Sequence, residues 1–500
     1  MEHKRAFFIL FLVSCVLLIP FLGYSYIQPT TDLWLLRSVH FYYAVKSYNF
    51  QDTYTMYHPG VTVMWLVGIT SGLFYKIRGG VDIFSFDIFS SYIFWPTLAV
   101  VMAEILALLL LFNVLKIIIG QKTAFISCLI LVLEPFFLGN ARSIHMDTLV
   151  SLFSFISLCY FFLGVKKGGK SNFVFSGIAL GFGMLTRINA GVVFAFYIFW
   201  IGFLIFWRKT SLTIGLKALL ITGIIGALTF YILFPAMWLN PIGTATRILK
   251  EGVFDTALAE ESRRGVLLAL GGIPLLQKVL AYPIYLLFRI TPLLFLMLGV
   301  FAIWGRKRLE LSEKVFIRYL FAFVIYYYLF ITIPDKQIFR YALPLLPALA
   351  VIAGFTLTKL TKKGLVVGYF AVQLVLVLYY YPNFFAFFNP LLGGIKTASS
   401  YINLNQDATG YAVVADYLNR KEGSDKLTLA MYDSNSFKMI FKGQSFMIKT
   451  YESQFGKKVD TDYILFPINM GLEFLPKDMY NLEKIFKVAG ADYYFLYRRI

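Results

Sequence analysis

Through the first three quarters of the chain, apolar residues run in long unbroken stretches, parted by short clusters of Lys, Arg, Gly and Pro. A run of about eighteen apolar residues matches the hydrocarbon thickness of a bilayer, so each such stretch reads as a spanning helix. The pattern predicts about eleven spans, at residues 6–24, 93–115, 123–139, 147–164, 172–187, 190–207, 214–235, 280–304, 315–333, 338–358 and 364–381. Two connections are long. The first, about 25–91, holds stretches such as Trp34–Tyr48 whose aromatic and charged residues fall at helical spacing, as in helices lying along a membrane surface. The second, about 236–279, is richer in charge, with Glu251, Asp255, Glu260, Glu261, Arg263 and Arg264.

Beyond residue 381 the runs shorten and alternate. The pattern there predicts a helix at Asp407–Arg420, strands at Leu427–Tyr432 and Tyr463–Pro467, a helix near Lys477–Lys487, and a closing strand at Asp492–Tyr497. The expected architecture is a polytopic α-helical membrane domain over 1–381, followed by a small α/β domain over 382–500.

Composition agrees, at 59% hydrophobic and only 15% charged with a mean hydropathy of +0.71. The net charge of +19 raises the question of a nucleic-acid partner. The bases, however, alternate with the spans. With the N-terminus inside, the inner connections collect Lys4 and Arg5, Lys116 and Lys122, Lys166 to Lys170, Arg208 to Lys217, Arg306 to Lys314, and Lys359 to Lys363. The outer turns keep isolated bases: Arg142, Arg187, Lys336 and Arg340. That asymmetry orients a membrane protein and leaves no basic surface for nucleic acid. It places the C-terminal domain outside the cytoplasm, in a multi-pass protein of the cell membrane. The N-terminal apolar run is long and shows no small-x-small cleavage site, so an uncleaved first helix is expected. Cys15, Cys128 and Cys159 all lie in apolar runs, which offers neither a disulfide framework nor a metal knuckle.

Polar groups beside spans need an account, because burying them in lipid is unfavourable. Asp32, in Pro29-Thr-Thr-Asp32-Leu-Trp34, follows the first span closely; it is either a helix cap or a carboxylate poised as a general base. His58 lies in the turn signal Tyr57-His58-Pro59-Gly60. With His40 and His145 it makes a weak three-histidine metal candidate, without a helical i,i+4 pair or HExxH. The tightest cluster is Asn140-Ala-Arg142-Ser-Ile-His145-Met-Asp147, where an Arg142–Asp147 ion pair is the structural alternative to a site. Arg187, Lys336 and Arg340-Tyr341 fall at the same predicted membrane level, where guanidinium groups suit a phosphate. Glu104 reads as a bundle-facing residue, and Glu134-Pro135 as a helix break.

These motifs, in this order, resemble the GT-C class of polyprenyl-phosphate-sugar-dependent glycosyltransferases, in particular the protein O-mannosyltransferases and the lipid A aminoarabinose transferases. The likeness rests on an acid shortly after the first span, a Pro-containing motif later in that loop, and Arg142-x-x-x-x-Asp147. Further echoes are Phe234-Pro-Ala-Met-Trp238-Leu-Asn240-Pro241, Tyr282 to Pro292, Arg340-Tyr341-Ala-Leu-Pro344, and Tyr381-Pro382 with Phe388-Asn389-Pro390. Two departures stand out: Asp32-Leu33 replaces Asp-Glu, and His58-Pro59-Gly60 replaces Lys-Pro-Pro, which points to a different sugar or acceptor. The resemblance implies direct inverting transfer from a polyprenyl- or dolichyl-phosphate-linked sugar to a protein, lipid or glycan. Asp32 would be the base, with Asp147 orienting an arginine or the acceptor. Arg142, Arg187, Lys336, Arg340 and Tyr341 would hold the donor phosphate, and His58, His145 and Trp238 would contact substrate. The scheme demands no metal or cofactor. A transporter or flippase of lipid-linked sugars would share the bundle and the phosphate clamp but needs no surface base, and no repeat relates the two halves. A sensor or assembly subunit is the third reading.

Overall fold

The computed structural model describes residues 3–23, 31–255, 274–334, 337–360, 363–402, 409–432, 434–448, 459–468 and 478–500. Lys336 and the stretch 256–273, with Glu260, Glu261, Arg263 and Arg264, lie outside the described residues.

Every one of the eleven apolar runs is helical, yet they are not eleven straight spans. Among the described residues seven helices are long and apolar enough to cross a membrane: Phe86–Ile119, Asp147–Lys167, Ile188–Phe206, Leu212–Leu233, Leu311–Thr332, Phe339–Lys359 and Lys363–Tyr380. Two further runs are broken. Gln121–Val132 and Pro135–Ala141 meet at 70°, and Leu275–Arg289 and Pro292–Ile303 at 116°. Helices His3–Leu18 and Lys170–Thr186 have 16 and 17 residues, just short of a full span.

The breaks have an identifiable cause. Pro135 and Pro292 each lack an amide hydrogen and open a new helix at its first turn. The two freed corners then bond each other. Glu134, fully buried, accepts from the Thr291 amide at 3.0 Å and from Thr291 Oγ1 at 2.5 Å. Gln373 donates to Leu133 O at 2.8 Å beside them. A carboxylate inside the bundle thus joins two bent helices at their corners.

Helices Thr31–Lys46 and Val61–Ile77, within the first long connection, pack on each other, and Val61–Ile77 packs against Phe94–Ile119. Helix Thr31–Lys46 covers most of the helical stretch expected at Trp34–Tyr48.

The C-terminal residues build one five-stranded sheet of order β2-β1-β3-β5-β4, with β1 Thr428–Met431, β2 Gln444–Met447, β3 Tyr463–Pro467, β4 Tyr480–Val488 and β5 Ala491–Arg499. Strand β1 pairs parallel with β2 and β3, while β5 pairs antiparallel with β3 and β4. The helix expected near Lys477–Lys487 is strand β4. Leu482 and Ile485, whose spacing mimics a helical face, are both exposed, and the buried positions are Tyr480, Phe486 and Val488. Ala489 and Gly490, with φ of 47° and 79°, turn β4 directly into β5. A two-residue turn with both φ positive matches strand twist, and that hairpin overrides the local helical spacing. The expected helix Asp407–Arg420 is Tyr411–Asn419 among the described residues.

The sheet does not stand apart. One apolar core holds Trp34, Leu35 and Val63 from helices Thr31–Lys46 and Val61–Ile77 and Phe89 from Phe86–Ile119, together with Tyr411, Leu418, Phe437 and Phe441 from the C-terminal part. This packing brings the C-terminal residues to Asp32.

Candidate active site

Asp147 begins helix Asp147–Lys167, where the first-turn amides favour an acid. Its side chain is 3% exposed and meets three partners. Arg187 Nη1 donates to Oδ1 at 2.5 Å, Arg340 Nε lies 3.3 Å from Oδ2, and His145 Nδ1 lies 3.0 Å from the same oxygen. Two separate breaks in the bundle deliver the arginines. Arg187 is extended (φ −157°, ψ 128°) at the apex between Lys170–Thr186 and the turn at Ile188. Arg340 and Tyr341 ride on the 3-10 segment Phe339–Leu345, held by Ser151 Oγ donating to Leu343 O and by Phe339 stacked on Tyr285 at 4.0 Å. The Arg187 guanidinium lies over the Tyr341 ring at 4.2 Å.

Arg340 Nη1 is 3.1 Å from His145 Nε2. Since a guanidinium only donates, Nε2 must accept, which leaves the imidazole proton on Nδ1 facing Asp147. Burial and the neighbouring Arg340 accordingly hold His145 below the usual imidazole range. The cluster therefore carries two guanidinium charges, one carboxylate and a neutral imidazole, a surplus of one positive charge. The two arginines differ in access, Arg187 being 5% exposed and Arg340 24%.

Trp34 stands edge-on to His145 with ring centroids 6.4 Å apart, and Arg37 lies over the Trp34 ring at 5.0 Å. Asp32, two residues before Trp34, accepts a hydrogen bond from Ser436 Oγ at 3.1 Å, although Ser436 is 404 residues away in the chain. The His58-Pro59-Gly60 turn closes the other flank. Gly60 has φ +62°, and its amide donates to Thr186 O at 3.2 Å. A Cβ there would meet the Trp34 ring at 2.2 Å, so both conformation and space demand glycine. The His58 ring lies tilted against Tyr57, with ring centroids 4.1 Å apart.

The structure thus gathers Asp147, His145, Arg187, Arg340 and Tyr341 in one cluster, with Asp32 and the His58 turn on the helix pair flanking it. Two expected members sit elsewhere. Arg142 is not ion-paired with Asp147, whose partners are Arg187, Arg340 and His145. It is fully buried, its guanidinium donating to the carbonyls of Leu17 (2.8 Å), Leu18 (3.2 Å) and Pro20 (2.7 Å), with Tyr381 and Phe384 on its flanks. The Leu17 and Leu18 carbonyls end the first helix, where a cation is favoured. Arg289 repeats the device on the carbonyls of Phe385 and Phe387. Trp238 is on the periphery, its indole donating to Tyr231 O and its ring against Phe50. The three histidines do not converge: His40 is exposed, and His145 is turned onto Asp147. Among the described residues no group of three His, Cys, Asp or Glu side chains is placed to hold a metal ion. Arg37 and Ser436 escaped the sequence reading. The one signal for Arg37 is its place one turn beyond Asp32, and nothing local marks Ser436.

A family model described as dolichyl-phosphate-mannose-protein mannosyltransferase matches residues 70–238, a span that includes His145, Asp147 and Arg187. None of the curated proteins matches the chain. Among solved structures, ArnT from Cupriavidus metallidurans bound to undecaprenyl phosphate superposes with a TM-score of 0.53 at 14% identity, covering 100% of this chain and 99% of that one. The apo oligosaccharyltransferase from Archaeoglobus fulgidus gives 0.50 at 12% identity over 94% of this chain and 70% of its own. The same archaeal enzyme, AglB, in complex with an inhibitory peptide and a dolichol-phosphate gives 0.50 at 11% identity over 94% and 69%. Alongside the apolar helices, these matches make the chain a multi-pass membrane protein with the GT-C glycosyltransferase fold.

Proposed function

We propose that this protein transfers a sugar from a polyprenyl- or dolichyl-phosphate donor to an acceptor hydroxyl on the extracytoplasmic face, by direct inverting displacement. The observation that carries the reading is the charge surplus at Asp147: two arginines share one buried carboxylate beside a neutral histidine, and the more exposed arginine lies at the edge. Such a site attracts an anion that develops during reaction, and a fixed guanidinium does so without reorganising. The undecaprenyl phosphate and dolichol-phosphate of the fold neighbours are the same class of lipid phosphate.

In this scheme Asp32 accepts the proton of the acceptor hydroxyl. The freed oxygen forms its bond to the anomeric carbon as the bond from that carbon to the phosphate oxygen breaks. The electron pair stays with the lipid phosphate, facing Arg340 and Arg187. Asp147 positions both arginines, and Tyr341 supports Arg187 from below. Arg142 has no part in the chemistry.

The test is Asp32→Asn in purified, reconstituted protein supplied with synthetic polyprenyl-phosphate sugars, reading release of the lipid phosphate. Asn keeps an oxygen for Ser436 and caps a helix about as well as Asp, so the variant should fold. Turnover should fall by roughly 10²–10⁴-fold. A folded variant with near-parental turnover would remove Asp32 as the base, and a transporter of lipid-linked sugars would be equally indifferent to the change.

A further inference from the structure

The far end of the same helices carries a second feature. Helix Asp147–Lys167 starts at the cluster above, and its Gly164 and Val165, about 25 Å away at 1.5 Å per residue, help to line a cavity of about 850 Å³. The start of helix Lys170–Thr186, the end of Gly191–Phe206 and the start of Leu212–Leu233 form its other walls. Four bases ring it, Lys170, Arg208, Lys209 and Lys217, over a floor that includes Phe173 and Ile221.

No carboxylate balances these charges nearby in the chain, because no Asp or Glu occurs between Asp147 and Glu251. Among the described residues none of the four bases is in an ion pair. The backbone at Arg208 is a second, independent sign. Helix Gly191–Phe206 ends with the Lys209 amide on Leu204 O and the Arg208 amide on Ile205 O, a closing turn that places Arg208 at φ 52°. Glycine or asparagine normally fills that left-handed position. Arg208, an unusual occupant of that conformation, is one of the residues lining the cavity.

Orientation in the bilayer selects the ligand. The cavity opens beside Phe206 and Leu212, which are exposed, and the helices Ile188–Phe206 and Leu212–Leu233 leave most of their surface uncovered within the protein. Acyl chains are the natural neighbours of those flanks, and a phosphate at the level of the four bases completes the fit. We infer that this cavity binds the headgroup of an anionic phospholipid, at the opposite end of the bundle from Asp147.

The test uses the full chain, purified and reconstituted in nanodiscs of phosphatidylcholine with or without phosphatidylglycerol, with native mass spectrometry counting retained lipid. The parent should retain phosphatidylglycerol with a preference of roughly tenfold over phosphatidylcholine. Lys170→Gln, Arg208→Gln, Lys209→Gln and Lys217→Gln combined should abolish that preference. Neutralising Arg306, Lys307, Arg308 and Lys314 to Gln removes the same charge from another basic connection and should leave it intact. Equal losses in the two variants would reduce the effect to general surface charge and overturn the site. Displacement of the lipid by inorganic phosphate alone would overturn it in favour of a free-anion site. Should the quadruple variant fail to fold, Arg208→Gln alone must lower retention several-fold, and unchanged retention sinks the proposal.

Discussion

Replacing Arg340 by Gln separates the phosphate clamp from the scaffold that supports it. Arg340 contributes one of the two positive charges facing Asp147, through an Nε contact of 3.3 Å, while Arg187 keeps the shorter 2.5 Å bond to the other oxygen. After the substitution Asp147 remains paired with a buried guanidinium, so the protein should keep its fold. The cluster, however, falls from a surplus of one positive charge to balance. A charge-assisted hydrogen bond to a phosphate contributes about 1.5–3 kcal/mol, which is roughly a 10- to 150-fold loss in kcat/KM for a lipid-phosphate donor. The assay is steady-state transfer in proteoliposomes, with donor concentration varied and thermal unfolding measured in parallel. Arg340→Lys should recover only part of the loss, because an ammonium lacks the planar pair of donors. Normal kcat/KM in Arg340→Gln, with unfolding unchanged, would refute the clamp.

Arg142→Ala should behave in the opposite way. It strands the buried carbonyls of Leu17 and Leu18, at a cost on the order of 2 kcal/mol or more, so thermal unfolding should drop steeply, with donor KM unchanged in whatever protein remains folded. A donor-specific KM effect with intact stability would return Arg142 to the clamp. Ser436→Ala removes the hydroxyl that holds Asp32. It should lower kcat by roughly 2- to 10-fold, while Ser436→Thr restores it; an unchanged kcat would reduce Ser436 to packing. His145 gives a pH signature. Its folded-state pKa lies below the unfolded value near 6.5, so between the two the unfolded chain binds more protons and stability falls as pH falls. The melting temperature should therefore decline on acidification below about pH 6.5, and His145→Gln should flatten that decline.

The apolar runs and the alternation of basic clusters determined that the chain is a bundle of membrane helices, because transfer of apolar side chains into lipid depends on local length and composition. The His58-Pro59-Gly60 turn and the Glu134-Pro135 break were legible for the same reason, since Pro and Gly act on their own backbone. Asp147, Arg187, Arg340 and Tyr341 stood out as polar groups at span ends, where each needs a partner. Which partner each takes was decided by tertiary structure alone. Arg142 and Arg187 look alike in sequence, yet one closes the carbonyl end of the first helix and the other faces Asp147, because a guanidinium goes to whichever uncompensated acceptors the packing brings near it. Strand β4 shows the same limit: its local spacing favours a helix, and only pairing with β5 makes it a strand. Ser436 is the clearest case. A serine carries no signal of its own, and it meets Asp32 solely because the C-terminal part shares an apolar core with helices Thr31–Lys46 and Val61–Ile77, a contact across most of the chain that no local pattern encodes.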